Sequence, residues 1–131
     1  MMLVVDASFV TAALQGNDDT AAWAAETMSG HVPAAPHLMP VEVASSLRRA
    51  ERLGQLSAGV AAIAHGDLSE LGVDLYPYEP FAERVWEMRH TITSYDAWYI
   101  AVAEALEAPL ATLDRRLARA KGSRCDFVTP P

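Results

Sequence analysis

The feature that most constrains the fold of this chain is an alternation: short apolar runs of strand length separated by stretches with helical spacing. Met2-Leu3-Val4-Val5 is a continuous apolar run ending on Asp6, the pattern of a strand buried on both faces. Ser8 can cap the segment after it, and Phe9 to Leu14 carry a helix that stops at Gly16-Asn17. Asp18-Asp19-Thr20 opens a second helix through Met28, closed near Gly30, and His31 to Ala34 is a short strand candidate. Pro40 fits the first turn of a third helix, with Val43, Leu47 and Ala50 on one face and Gly54 as its stop. Ser57 to Leu71 reads as a helix and Val73 to Tyr76 as a strand; Pro80 then starts a helix with Phe81, Val85 and Met88 on one side. Thr93 or Ser94 caps a helix in which Tyr95, Trp98, Tyr99, Val102, Ala105 and Leu106 recur at helical spacing. Pro109 to Thr112 is a strand, Asp114 to Lys121 a basic helix, and Phe127-Val128 a last short strand. This order predicts an α/β fold: a short central parallel sheet flanked by helices.

The chain has 131 residues, enough for one core, so residues 1–131 are expected to form a single domain. No apolar run approaches the ~18 residues of a membrane span. The first ten residues lack a basic segment and are interrupted by Asp6, which speaks against a secretory signal. Cys125 is the only cysteine, so no intrachain disulfide can form; it reads as an inert thiol in a reducing, cytoplasmic compartment. Formal net charge is −7, from 10 basic and 17 acidic residues, and taken alone this argues against a polyanionic partner. The distribution says more. Arg48, Arg49 and Arg52 form one basic group; Arg115, Arg116, Arg119, Lys121 and Arg124 form another.

Four carboxylates stand out by location. Asp6 ends the first strand and Asp114 comes just after the Leu110-Ala111-Thr112 run, and open α/β sheets bind ligands outside the carboxyl ends of their strands, where strand order reverses. Glu42 and Asp96 fall in the first turns of helices whose N-termini can point to that same edge. Each acid also has a structural role open to it. Asp6 and Asp114 can cap the segments after them. Glu42 and Asp96 can complement a helix dipole, for roughly 0.3–1 kcal/mol each, and Thr93-x-x-Asp96 resembles a capping box. Convergence, however, has its own cost. Two carboxylates ~5 Å apart repel by about 3 kcal/mol at an effective dielectric of 20. A meeting of four therefore requires cations or bound protons. All-oxygen sites of this kind suit Mg²⁺ or Mn²⁺, which can activate water for phosphodiester hydrolysis.

These segments resemble the PIN-domain nucleases, most closely their VapC-type toxins. The likeness runs through Asp6-Ala7-Ser8 after the first strand, Pro40-Val41-Glu42-Val43 leading to Leu47-Arg48-Arg49, Tyr95-Asp96-Ala97-x-Tyr99, and Leu110-Ala111-Thr112-Leu113-Asp114-Arg115-Arg116-Leu117. The resemblance implies a PIN-like α/β/α sandwich in which Asp6, Glu42, Asp96 and Asp114 form a metal-binding cluster. Asp6 and Asp96 would be the primary ligands, and Glu42 and Asp114 would contribute directly or through water. It further implies a site hydroxyl at Thr112 and a small polar partner of Asp6 at Ser8. The implied activity is that of a toxin endoribonuclease that cuts a tRNA or rRNA loop, leaves 5′-phosphate and 3′-hydroxyl ends and arrests translation. A cognate VapB-type antitoxin would cover the site, and two copies would form a homodimer.

Arg115 and Arg116 adjoin Asp114 and are candidates to hold flanking phosphates, or a solvated cationic face. Arg48, Arg49 and Arg52 sit near a helix C-terminus, where positive charge is favoured, and could also meet an antitoxin carboxylate. Trp98, Tyr99, Trp23 and Trp86 have spacing that suits core or dimer packing better than base stacking. His31, His37, His65 and His90 show no metal-ligand spacing. Two rival readings remain at this level. A receiver-like phosphoacceptor would need an acidic pair just after the first strand, whereas Asp18-Asp19 come too late. A catalytically silent PIN-like binding module would share the fold and lack the chemistry.

Overall fold

The computed structural model describes residues 1–131. Five strands form one sheet: β1 (Met2–Val5), β2 (Val32–Pro36), β3 (Asp74–Tyr76), β4 (Leu110–Ala111) and β5 (Phe127–Val128). Six helices connect them: α1 (Ala7–Gln15), α2 (Asp19–Ser29), α3 (Leu38–Arg52), α4 (Ala58–Leu68), α5 (Ala82–Glu87) and α6 (Ser94–Leu106). All four strand pairings are parallel and the order is β3-β2-β1-β4-β5.

That order fixes the layers. From β1 the chain steps through β2 to β3 in one direction, then crosses back to β4 and continues to β5. Right-handed crossovers therefore place α1 to α4 on one face and α5 and α6 on the other. Contacts agree, since α1 touches α2, α3 and α4, and α5 packs on α6. Strand order reverses between β1 and β4, and the crevice beyond their carboxyl ends is where a doubly wound sheet binds its ligands. The receiver-like order, 2-1-3-4-5, is not this one.

The core grows out of the apolar pattern. Leu3, Val4 and Val5 are fully buried, covered by Phe9, Val10 and Val43 from one group of helices and by Ile100 and Val102 of α6. Small buried alanines at 97, 101 and 103 alternate on α6 with the larger Tyr99, Ile100 and Val102, and the helix packs against β1, β2 and β4. Trp23 reaches the same core, edge-on to Phe9 at 5.5 Å. Gly16 closes α1 because a side chain there would come within 2.5 Å of Ala21 Cβ at the tight passage into α2. Beyond α3, Gly54 takes the left-handed φ of 75° that ends the helix.

Several expectations need correction. The segment Asp114–Lys121 is not a helix: only a 3-10 turn forms at Leu117–Arg119, because Leu117 is its one buried side chain and Ala120 is already extended. Helix α3 begins two residues before Pro40, which moves Glu42 out of the first turn into the second. Helix α4 stops at Leu68 rather than Leu71, and the Pro80 helix splits into a 3-10 turn, Glu79–Phe81, and the short α5. The strand read from His31 to Ala34 runs on to Pro36 and pairs on both sides. Trp86 lies outside the core, 63% exposed, with the Arg89 guanidinium 4.6 Å from its ring.

Candidate active site

The carboxyl ends of β1 and β4 are stitched together by side chains. Asp6, the first residue after β1, is buried, and its carboxylate is held by three donors. Oδ1 accepts from the Phe9 backbone N–H at 2.9 Å and from the Ser8 hydroxyl at 2.7 Å, while Oδ2 accepts a short bond from the Thr112 hydroxyl. Asp6 is thus the N-cap of α1 as well as a candidate site residue; Ser8 caps nothing and donates to Asp6 instead. Ser8 Oγ also accepts from the Leu113 N–H at 3.1 Å, and Thr112 Oγ1 accepts from the Asp114 N–H at 3.0 Å. These bonds join the two loops that leave β1 and β4.

The other three acids arrive from separate elements. Asp114 Oδ1 accepts from the N–H groups of Arg116 and Leu117, at 2.9 and 3.2 Å, and so caps the 3-10 turn. Asp96 stands in the first turn of α6, with its own N–H bonded to the capping hydroxyl of Thr93. Glu42 projects from the second turn of α3, where the helix-dipole role no longer applies, and its Oε1 accepts from the Tyr99 hydroxyl at 2.6 Å. Tyr99 comes from α6, on the opposite face of the sheet. Its helical spacing reads as packing, and it does pack, but its hydroxyl is also the donor that positions Glu42.

The four carboxylates are electrostatic neighbours. Burial raises the Asp6 carboxyl above its ordinary range, its three donors oppose that, and the Asp96 charge adds to it. Burial likewise raises Glu42, with the charges of Asp96 and Asp6 pushing the same way and the Tyr99 bond against them. Asp96 is raised by burial and then by the Asp114 charge, with Thr93 opposing. Burial and the Glu42 partner also raise Tyr99, so its hydroxyl stays a donor. No cation compensates: both ion pairs of the molecule belong to Arg84, outside this site.

No three acidic, histidine or cysteine side chains close into a cage around a single point. The four carboxylates offer oxygen donors only, the donor type that hard divalent cations such as Mg²⁺ take. A groove of about 310 Å³ runs beside them, with Asp96, Asp114 and Arg116 on its walls. Arg116 is therefore next to the acids, whereas Arg115 turns away and donates to the Pro130 carbonyl at 2.6 Å.

A sheet switch point that gathers aspartates and a glutamate without a counter-charge is what the resemblance to the PIN-domain nucleases implies. The chain belongs to that family: residues 3–123 match the PIN-domain model. Within it the chain is similar to ribonuclease VapC1 of Mycobacterium tuberculosis, 40% identical over 95% of this chain and 94% of that protein. It is also similar to ribonuclease VapC9 of the same organism, 39% identical over 99% of each. Among solved structures, VapC20 of M. tuberculosis, a sarcin–ricin-loop cleaving toxin, superposes with a TM-score of 0.71 at 18% identity, covering 98% of this chain and 99% of that one. VapBC2 of Rickettsia felis, bound to promoter DNA, gives 0.69 at 12% identity over the whole of both chains. These two show the same fold.

Proposed function

We propose that the protein is a toxin endoribonuclease that hydrolyses RNA phosphodiesters with Mg²⁺ or Mn²⁺ held by Asp6, Asp96, Glu42 and Asp114. The observation that carries this reading is the set of four neighbouring carboxylates with no basic partner, three of them driven above their ordinary pKa. A protein gains no stability from such a set; a divalent cation removes the repulsion. When bound, the cation supplies a water of lowered pKa and offsets the charge of the phosphate under attack.

The chain's own residues set the geometry. Asp6 and Asp96, from opposite layers, form the principal anchor, and Glu42 and Asp114 complete the acidic wall. Thr112 and Ser8 hold both oxygens of Asp6 so that its carboxylate keeps one orientation. Tyr99 does the same for Glu42. Arg116, on the groove wall, offers charge to a flanking phosphate; Arg115 would join it only by leaving Pro130.

In the cell the cleavage would arrest translation, and a VapB-type antitoxin would neutralise it, as the VapBC pairing among its fold relatives suggests. We place the whole chain, 1–131, in one cytoplasmic domain acting as a homodimer; no helix is long and apolar enough to cross a membrane. The test is to incubate wild type and Asp96→Asn with total RNA, with Mg²⁺, with Mn²⁺ and with chelator, and to sequence the new 5′ ends. Defined 5′-phosphate ends that need both the divalent ion and Asp96 are expected. Cleavage that survives chelation would overturn the metal mechanism, and a folded wild type that cuts no RNA would leave the silent binding module as the better reading.

A further inference from the structure

Helix α3 joins the acidic site to a basic one. Glu42 lies in its second turn, and Arg49, seven residues on, falls on nearly the same meridian two turns away. Arg52 stands a further turn along, and Glu51 lies on the far side of the helix. At 1.5 Å per residue, Arg49 and Arg52 stand about 10 and 15 Å along the axis from Glu42. Together with Arg48, Ser45 and Leu53 they line a surface pocket of about 450 Å³ that contains no acid. In a chain with 17 acidic residues against 10 basic ones, these three exposed arginines have no ion-pair partner.

The space between the two ends is not blank. A groove of about 330 Å³ is lined by Ser8 and Leu113 beside the carboxylates, by Thr11 and Gln15 of α1, by Thr20 at the start of α2 and by Ser46 of α3. Ser46 adjoins Ser45 of the arginine pocket. Thr11 lies on this groove with its side chain half-buried, and its hydroxyl oxygen is shielded and without a hydrogen-bond partner in the protein. Asp18 is the one acid on the groove, and its Oδ1 is engaged in capping α2.

We propose that this groove and the Arg48/Arg49/Arg52 pocket form a track for single-stranded RNA, gripping its backbone at a fixed distance from the bond that is cut. A stacked strand advances about 3.4 Å per nucleotide, so the arginines meet phosphates three to four nucleotides from the scissile one. The polar groove spans the nucleotides between. The dipole at the C-terminus of α3 favours cations there, but it does not account for three arginines sharing one acid-free pocket.

The proposal rests on the ribonuclease reading, and the test separates the two. Binding of fluorescent 12-nucleotide and 3-nucleotide RNAs is measured by anisotropy in Mg²⁺, on an Asp96→Asn background, with and without R49A/R52A. The double change is expected to weaken 12-mer binding about tenfold and to lower its salt slope by about 1.4, the release of two counterions. Binding of the 3-mer, too short to reach the pocket, stays within twofold, and the melting temperature is unchanged. Equal loss for both lengths, or for neither, overturns the track. Unchanged 12-mer binding with lost binding of a polyglutamate peptide also overturns it and gives the surface to an acidic protein. If Asp96→Asn still cleaves RNA but the length-dependent loss is seen, the catalytic assignment fails and the track stands.

Discussion

Two regions of the molecule bury charge, and they do so in opposite ways. At the carboxyl edge of the sheet, Asp6, Glu42, Asp96 and Asp114 stand together uncompensated. At the far end of α6, Arg84 bonds both oxygens of Glu104, at 2.7 and 3.1 Å, and the Gly122 carbonyl at 2.6 Å. Glu104 also accepts from the Arg124 N–H at 2.7 Å. Burial pushes Glu104 up, but Arg84 and Arg124 outweigh it and hold the carboxyl below its usual range. The Arg84 cluster is complete in itself and ties the loop before β5 to α5 and α6. The edge cluster is complete only with something added. Charge arranged for stability neutralises itself locally; charge arranged for work waits for a ligand.

The largest contrast is expected from Asp96→Asn. Cleavage should fall by ~10³-fold or more, the scale of losing an interaction specific to the transition state. The melting temperature of the metal-free protein should hold or rise, because one repelling charge is gone. Full Mg²⁺-dependent activity in a folded variant would end the assignment. Arg84→Met should give the mirror image. A partly buried Glu104 left without its partner costs about 1–3 kcal/mol in urea unfolding, while kcat below the unfolding range stays that of wild type. An equal loss of activity would show that the two clusters are not independent.

Tyr99→Phe sharpens the comparison from inside the site. It removes the only protein donor to Glu42 and should lower metal affinity or cleavage about tenfold, as losing a ligand's supporting partner commonly does. Titration with Mn²⁺ would read the change. The smallest effect is in pH dependence, and its sign differs between the clusters. Raised carboxyls stabilise the metal-free fold below their ordinary pKa, and that contribution is lost as pH rises through the raised values. The lowered Glu104 contributes above its ordinary pKa, and that contribution is lost as pH falls through the lowered one. Asp96→Asn should therefore reduce the stability lost as pH rises above the ordinary carboxylate range, and Glu104→Gln the stability lost as pH falls below it. Saturating Mg²⁺ should reduce only the first of these losses.

Much of this fold is legible in the sequence because parallel strands buried on both faces write themselves as unbroken apolar runs. Leu3-Val4-Val5 locates the central strand β1, and with it Asp6 at its carboxyl end. Local punctuation places Thr93 at the start of α6 and Gly54 after α3. Pairings across the sheet leave no such trace. Tyr99 and Glu42 are 57 residues apart, and spacing along one helix says nothing about where a hydroxyl on it ends. The stretch after Asp114 has the charges of a helix but not the apolar stripe that would hold one down. Pro40 suggests a helix start and so places Glu42 a turn too early, whereas α3 already begins at Leu38.

The double duty of Asp6 has an evolutionary consequence. On the proposed reading one carboxylate both launches the first helix and holds the metal, so drift at that position risks taking folded protein and activity together. Alleles that accumulate normally but do no harm to their host should cluster at Asp96 instead, where the chemistry can be switched off and the architecture left standing.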